Sequence, residues 1–355
     1  MSTLEVRVLP ELAATSDLGA QWEALVCANT GSGFMQSLQW ALFKRNQGLI
    51  SLHVGVIEEN CLIGGAIFYA PKNGNGAGIL VAPEGPVLPW NDQEKSSSAL
   101  RLIMSTVESH SREMGVMAVR VEPRLCPPQP FVLRDFGRAP VDLIPRHTMY
   151  VDLSQPIETM LSGMKPKGRY NINLAERHGV SVYEDRSPEA VQRFYLLVHE
   201  ASIRDDFALE PCVFFDQLSR ALCPSGVARF LFSEHEGELL GTMLLITYGS
   251  RATYLYGGIS NNKRNLMAGY ALQWEAMKTA RELGCTVYDF YGYEPIRAPQ
   301  LEYARFSQFK SQFGGNPVNF IGAQDHFFLD CLADAFIKAV GETSNFGRLA
   351  SAIGK

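Results

Sequence analysis

Apolar and polar positions alternate along this chain with a period that changes several times, and the changes recur twice in the same order. Residues 227–233, 238–248 and 251–257 are short β-rich runs separated by turn residues at 234–237 and 249–250, which predicts three strands joined as hairpins. Residues 265–283 carry Ala268, Leu272, Ala276, Ala280 and Leu283 on one helical face. Gly284 is placed to stop that helix, and residues 286–291 read as a further strand. The earlier part of the chain follows suit. Strands are expected over 51–57, 61–70 and 78–82, a helix over 93–114 stopped by Gly115, and a strand over 116–122. Two helical patterns precede each set, over 18–28 and 38–47 in the first and over 187–203 and 212–222 in the second.

The copies also agree in letters. Residues 59–68 read like 236–245 and residues 112–119 like 281–288, at nearly one offset, so a fold duplicated in tandem is expected. The order helix–helix–strand–strand–strand–helix–strand is an α+β pattern and resembles the GCN5-related N-acetyltransferase (GNAT) fold. A length of 355 residues suits two domains. Pro-rich stretches at 126–130 and 140–145 put the boundary near Tyr150. The expected domains are therefore 1–150 and 151–321, both GNAT-like. Residues 325–355 read as a helix and a frayed tail.

Composition narrows the class. Hydrophobic content of 46% with 19% charged residues is that of a globular protein. A net charge of −5 argues against a broad basic surface for long nucleic acid, while leaving room for a local basic pocket. Seven cysteines, odd in number and without a C-x-x-C pair, read as reduced, mostly buried thiols of a cytoplasmic protein. Residues 1–18 carry acids and no apolar h-region, so no signal peptide is expected. No apolar run reaches the ~18 residues of a membrane span, so any membrane contact would be peripheral.

The GNAT resemblance makes a demand on the chemistry. That fold normally holds the coenzyme A pyrophosphate on a Q/R-x-x-G-x-G/A loop at a helix N-terminus, where free N–H groups attract phosphate. The equivalent residues here are Arg264, Met267 and Gly269. The middle glycine is missing, and residues 84–91 of the first copy contain two prolines, which lack N–H donors. A donor other than coenzyme A is expected, with no cofactor.

A set of motifs gives a closer resemblance. Tyr254, Tyr256, Gly257 and Gly258, then Leu266, Met267 and Ala268, then Leu272, Gln273, Trp274 and Glu275, then Tyr288, Asp289, Phe290, Tyr291 and Gly292, then Phe309, Lys310, Ser311, Gln312, Phe313, Gly314 and Gly315 together resemble the Fem family. Ser37, Leu38, Gln39 and Trp40 with Lys44, and residues 167–172, fit the same family, and the likeness spans residues 20–325. These are tandem-GNAT, aminoacyl-tRNA-dependent transferases that build the peptide branch of peptidoglycan. The resemblance implies the acceptor end of an aminoacyl-tRNA and a muramyl-pentapeptide precursor as partners. It also implies that residues 322–355 pack back on the first domain.

Under that resemblance Lys310 is the expected cation beside the oxyanion, its stem set between Phe309 and Phe313; the plain alternative is an exposed lysine before a Gly-Gly turn. Asp289, an acid in an apolar strand, needs a partner; it either serves the attacking amine or is a structural carboxylate. Lys44 lies one turn after Trp40, and the resemblance puts it at the precursor's diphosphate; alternatively it is a surface lysine. Tyr254 and Tyr256 alternate on one side of a strand and are expected in one cleft, or as ordinary β aromatics. Lys165, Lys167 and Arg169 read as a basic loop, for phosphate or merely solvated. Arg264 and Tyr288 complete the expected substrate-binding set. Residues 204–207 echo a family pattern without a derivable role. Trp274 and Glu275 read as core and surface of their helix.

Other motifs fail. Gly74, Gly76 and Gly78 precede a strand and read as a hairpin. The histidines show no metal-ligand spacing, and no G-x-S-x-G elbow occurs. The alternatives to the aminoacyltransferase are an N-acyltransferase with another donor, acting on a polysaccharide or small amine, and a non-catalytic binding module of envelope assembly.

Overall fold

The computed structural model describes residues 3–9, 16–71, 78–294 and 304–328. They fall into two compact units. One comprises the described residues of Met1–Arg146 and Asn319–Lys355, the other those of His147–Val318. Tyr150 thus lies four residues into the second unit, within its first strand.

In the first unit, β1 (Glu5–Leu9), α1 (Asp17–Ala28) and α2 (Leu38–Asn46) precede a meander of β2 (Leu49–Glu58), β3 (Cys61–Pro71) and β4 (Ile79–Pro83). Then come α3 (Gln93–Met114), β5 (Ala118–Glu122), the short β6 (Gly137–Arg138) and, far along the chain, β14 (Gln324–Phe327). Ser16 and Ser37 start the first two helices by accepting the N–H of Gly19 at 3.0 Å and of Trp40 at 3.1 Å. The sheet order is β1-β2-β3-β4-β5-β14-β6, with β4 and β5 parallel. Leu100, Ile103 and Val107, at helical spacing on α3, bury with Val54, Phe68, Leu80 and Val119 of the sheet. Each such side chain contributes roughly 1.5–3 kcal/mol.

The second unit comprises β7 (His147–Asp152), α4 (Ile157–Gly163), α5 (Pro166–Arg177), β8 (Ser181–Glu184), α6 (Ala190–Asp205) and α7 (Cys212–Leu222). Next come β9 (Ala228–His235), β10 (Glu238–Tyr248), β11 (Arg251–Ile259), α8 (Ala268–Glu282), β12 (Val287–Asp289), α9 (Ala304–Lys310) and β13 (Asn316–Asn319). Its order is β8-β9-β10-β11-β12-β7-β13, with β11 and β12 parallel. The two sheets therefore match strand for strand. The expected α+β fold in two GNAT-like copies is what the chain adopts. Both stop glycines act alike: Gly115 at φ +64° and Gly284 at φ +88° let Val116 N–H reach Ser111 O at 2.8 Å and Cys285 N–H reach Ala280 O at 3.0 Å.

Four expectations need correction. The thiols are not mostly buried: among the described residues Cys27, Cys61 and Cys126 are exposed, Cys212 and Cys223 half-buried and Cys285 buried. Residues 324–327 form a strand against β5, where a helix was expected from 325, because their backbone completes the first sheet's ladder. Lys167 and Arg169 lie in the first turn of α5 and not in a loop, since Pro166 presets the helical φ there. The helix expected over 265–283 begins at Ala268, because Met267 at φ +56° breaks it from a preceding 3-10 turn. Strands β1, β6, β7, β8 and β13 stand outside the elements expected from the sequence. The hairpin between β3 and β4 is antiparallel, Tyr69 opposite Val81, but Gly74 and Gly76 lie outside the described residues.

Candidate active site

The parallel pairing of β11 with β12 covers Arg251 with Val287, Ala252 with Tyr288 and Thr253 with Asp289. It stops there, while β11 runs on to Ile259. The chain beyond Asp289 instead follows β7: Phe290 N–H donates to Met149 O at 3.1 Å and Tyr293 N–H to His147 O at 2.9 Å.

Lys310 reaches into this place from the last residue of α9. It is 5% exposed, which excludes the surface-lysine reading. Its Nζ donates to Phe290 O at 2.9 Å, Tyr291 O at 3.0 Å and Gly292 O at 2.5 Å. Three carbonyl acceptors match the three donors of an ammonium. Burial pushes its pKa down to about 7, and the nearby Asp289 pulls it back up. Phe309 and Phe313 pack on each other and on Tyr270, and the Tyr254 ring lies 5.7 Å from Nζ.

Asp289 is 0% exposed at the end of β12. Its Oδ1 accepts the Thr148 hydroxyl at 2.5 Å and the Tyr291 N–H at 2.9 Å. The acid in an apolar strand therefore has the partners that its burial demands.

Tyr254 and Tyr256 part company. Leu245 stands opposite Tyr254 and its neighbour Leu244 opposite Tyr256, so Leu255 is an extra residue in a β-bulge. The bulge cancels the alternation and sends the two rings to opposite faces. Tyr254 packs with Met243, Leu245 and the core beneath α8. Burial pushes its hydroxyl up to about 12. Tyr256 sits edge-on to Phe215 at 5.0 Å, beneath α7. The expectation of one shared cleft is corrected on this ground.

Tyr288 is fully buried and donates its hydroxyl to Gln273 Oε1 at 2.7 Å, a core position with no surface for a substrate. Arg264 is exposed in the turn before α8. At the α8 N-terminus Gly269 is buried, with Ile259 Cδ1 3.1 Å from where a Cβ would stand. Arg169 donates to Ser162 O and Met164 O, capping α4, while Lys167 points to solvent. Lys165 Nζ donates to Ser311 Oγ at 3.0 Å. In residues 204–207, Arg204 donates to Ile259 O at 2.7 Å and Phe207 meets Phe306 of α9 edge-on at 6.1 Å. Trp274 packs on the core and Glu275 pairs with Lys278.

In the first unit, Lys44 is 0% exposed, its Nζ 4.9 Å from the Trp40 ring centroid and 5.1 Å from that of Phe43. It is not a surface lysine. Elsewhere in that unit Arg120 pairs with Asp325, Arg124 lies 3.5 Å from Glu84, and Glu122 accepts the N–H groups of Leu143 and Ile144.

Sequence reasoning missed Thr148 altogether, since a threonine in an apolar strand gives no signal. It also passed over what Gly257 does. Tyr254 lies across that glycine so closely that a Cβ would meet Cε2 at 2.6 Å. The glycine pair in the motif was the available hint.

Comparison with known proteins adds to this geometry. The family model of the FemAB family matches residues 21–129, and that of the acetyltransferase (GNAT) domain matches residues 166–305. Lipid II:glycine glycyltransferase of Staphylococcus epidermidis is 22% identical over 381 residues, covering 86% of this chain and 90% of that protein. UDP-N-acetylmuramoylpentapeptide-lysine N(6)-alanyltransferase of Weissella viridescens is 24% identical over 274 residues, covering 73% and 79%. The crystal structure of FemX superposes with a TM-score of 0.82 at 18% identity, covering 94% of this chain and 100% of that one. A tandem GNAT protein from the clavulanic acid biosynthesis pathway superposes at 0.57 with 14% identity, over 92% and 98%. Both the tandem GNAT fold and the acyltransferase class are borne out.

Proposed function

We propose that this chain, an aminoacyltransferase of the Fem type, moves an amino acid from the 3′ ester of an aminoacyl-tRNA to an amine of a muramyl-pentapeptide precursor. The product is the branch of a peptidoglycan interpeptide bridge. The activities for which the glycyl- and alanyltransferase relatives are named support the acceptor class. The structural observation that carries the reading is the buried Lys310 ammonium, held by three carbonyls where β11 and β12 separate.

The precursor amine attacks the ester carbonyl carbon; a C–N bond forms and the carbonyl electron pair moves onto oxygen. The oxyanion collapses, the C–O bond to the tRNA 3′ oxygen breaks, and the amine proton leaves with that oxygen. Lys310 stabilises the oxyanion. A cation already fixed in a low-dielectric site needs little reorganisation when the charge develops. The Tyr254 ring lines the same place. Lys44, which the resemblance put at the precursor's diphosphate, is given no substrate contact, because it is 0% exposed against Trp40 and Phe43. The exposed Arg264 and Lys167 are assigned to tRNA phosphates. A donor of this kind puts the reaction in the cytoplasm. No helix among the described residues is long and apolar enough to cross a membrane, so a lipid-linked acceptor would be met peripherally. Acyl-coenzyme A is disfavoured by Met267 at the α8 N-terminus and by Ile259 against Gly269.

The test is to incubate the protein with a muramyl-pentapeptide precursor and either charged tRNA or acetyl-coenzyme A, and to weigh the products. An aminoacyl mass gain that Lys310→Ala abolishes supports the reading. An acetyl gain, or tight precursor binding with no gain, overturns it.

A further inference from the structure

The cage around Lys310 is made of backbone, so something must hold that backbone in shape. Phe290, Tyr291 and Gly292 are consecutive, and three consecutive carbonyls do not converge on one point in a strand, where they alternate in direction. Here they converge because the chain turns sharply: Tyr291 takes φ +42° and Gly292 φ +82°. A left-handed tyrosine costs roughly 1–2 kcal/mol and persists only where its surroundings fix it. Two features do so. The Asp289 carboxylate accepts the Tyr291 N–H, closing the turn locally. Strand β7 brackets it from outside, with Met149 O on Phe290 and His147 O on Tyr293. Between those two backbone bonds the Thr148 hydroxyl, 1% exposed, donates to the same carboxylate oxygen at 2.5 Å.

We propose that Thr148 and Asp289 are positioning residues for the acyl transfer: through the turn at 289–292 they aim three carbonyls at Lys310 and so fix its ammonium. This inference rests on the proposed role of Lys310. It gives Asp289 a different task from a proton acceptor. A carboxylate with no exposed surface, whose Oδ1 already takes two donors, is built to hold a turn.

The experiment measures the reactivity of Lys310 in the intact protein by competitive acetylation with acetic anhydride and peptide mass spectrometry. The exposed Lys167 serves as reference. Alkylation of the buried Cys285 thiol reports whether the second unit has loosened generally. Thr148→Val removes the hydroxyl at nearly constant volume, and Thr148→Ser restores it. Thr148→Val should raise Lys310 labelling relative to Lys167 about ten-fold, the factor for one buried hydrogen bond. Thr148→Ser should return it to the wild-type level, with Cys285 protected throughout. In the transfer assay Thr148→Val should lower kcat and leave KM for the precursor unchanged, since Thr148 touches no substrate. Unchanged Lys310 labelling in Thr148→Val overturns the proposal. So does a rise in Cys285 alkylation in parallel with Lys310, which would make the effect a general loss of packing. If labelling responds as expected but Lys310→Ala retains full transfer, the positioning of the cage stands and the oxyanion role of Lys310 falls.

Discussion

Arg120 and Asp325 form a two-pronged ion pair inside the first unit, Nε to Oδ1 and Nη2 to Oδ2 each at 2.7 Å, between side chains that are almost completely buried. They pair across neighbouring strands, Arg120 on β5 and Asp325 on β14. Removing one partner of such a pair strands a buried charge. Asp325→Ala should therefore destabilise the first unit by about 3–5 kcal/mol. Urea denaturation followed by the emission of the buried Trp22 and Trp40 measures this, and a loss under about 1 kcal/mol would contradict a desolvated pair.

Lys310→Ala should reduce transfer roughly a hundred-fold, because it removes the fixed positive charge beside the oxyanion, although all three of its N–H donors are spent on backbone carbonyls. Because the ammonium form is required and its pKa sits at about 7, the rate should decline as pH rises through that value. Asp289 raises this pKa, so Asp289→Asn should move the decline to lower pH. A pH–rate profile of the three proteins decides the point.

Gly257 has a task that alanine cannot perform. Its missing Cβ makes room for the Tyr254 ring, at 2.6 Å from Cε2, and for Thr242 O at 2.9 Å. Gly257→Ala should displace the ring from Lys310 and lower both stability and transfer. Adding Tyr254→Ala removes the larger clash. The double variant should then be more stable than the sum of the single effects predicts, and a double-mutant cycle on melting temperature gives the coupling.

Glu122 is a buried carboxyl whose pKa is pushed up to about 8, by burial first and by Asp142 next, against the pull of the Ile144 N–H, Arg120 and the Leu143 N–H. The folded state thus binds its proton more tightly than the unfolded chain does. The resulting stability is fully present below the ordinary carboxylate range and is lost as pH rises toward 8. Glu122→Gln cannot titrate and should flatten that slope. Denaturation midpoints at pH 5, 6.5 and 8 (about the window of this titration) test it.

Features with local causes could be read in advance. Gly115 and Gly284 were legible as helix stops because one left-handed residue makes the motif. The Ser37 cap and the apolar face of α8 are equally local. Tyr254 and Tyr256 were misread because the bulge that separates them is set by the register of β10, which no period within β11 records. Tyr288 kept its place in the motif, yet its hydroxyl is bound to Gln273 in the core.

The duplication, the α+β order of elements, the stop glycines and the neighbourhood of Lys310 and Asp289 are written in the chain, because they rest on spacing and residue type along a few turns. What Lys310 does there depends on the folded backbone. Its partners lie 18 to 20 residues earlier, on carbonyls that have no letter in a sequence. The turn that converges them is closed by Asp289, whose carboxylate also takes the hydroxyl of Thr148, 141 positions away on another strand. A side chain's identity is written locally, but its burial, charge state and aim come from backbone brought from elsewhere in the fold.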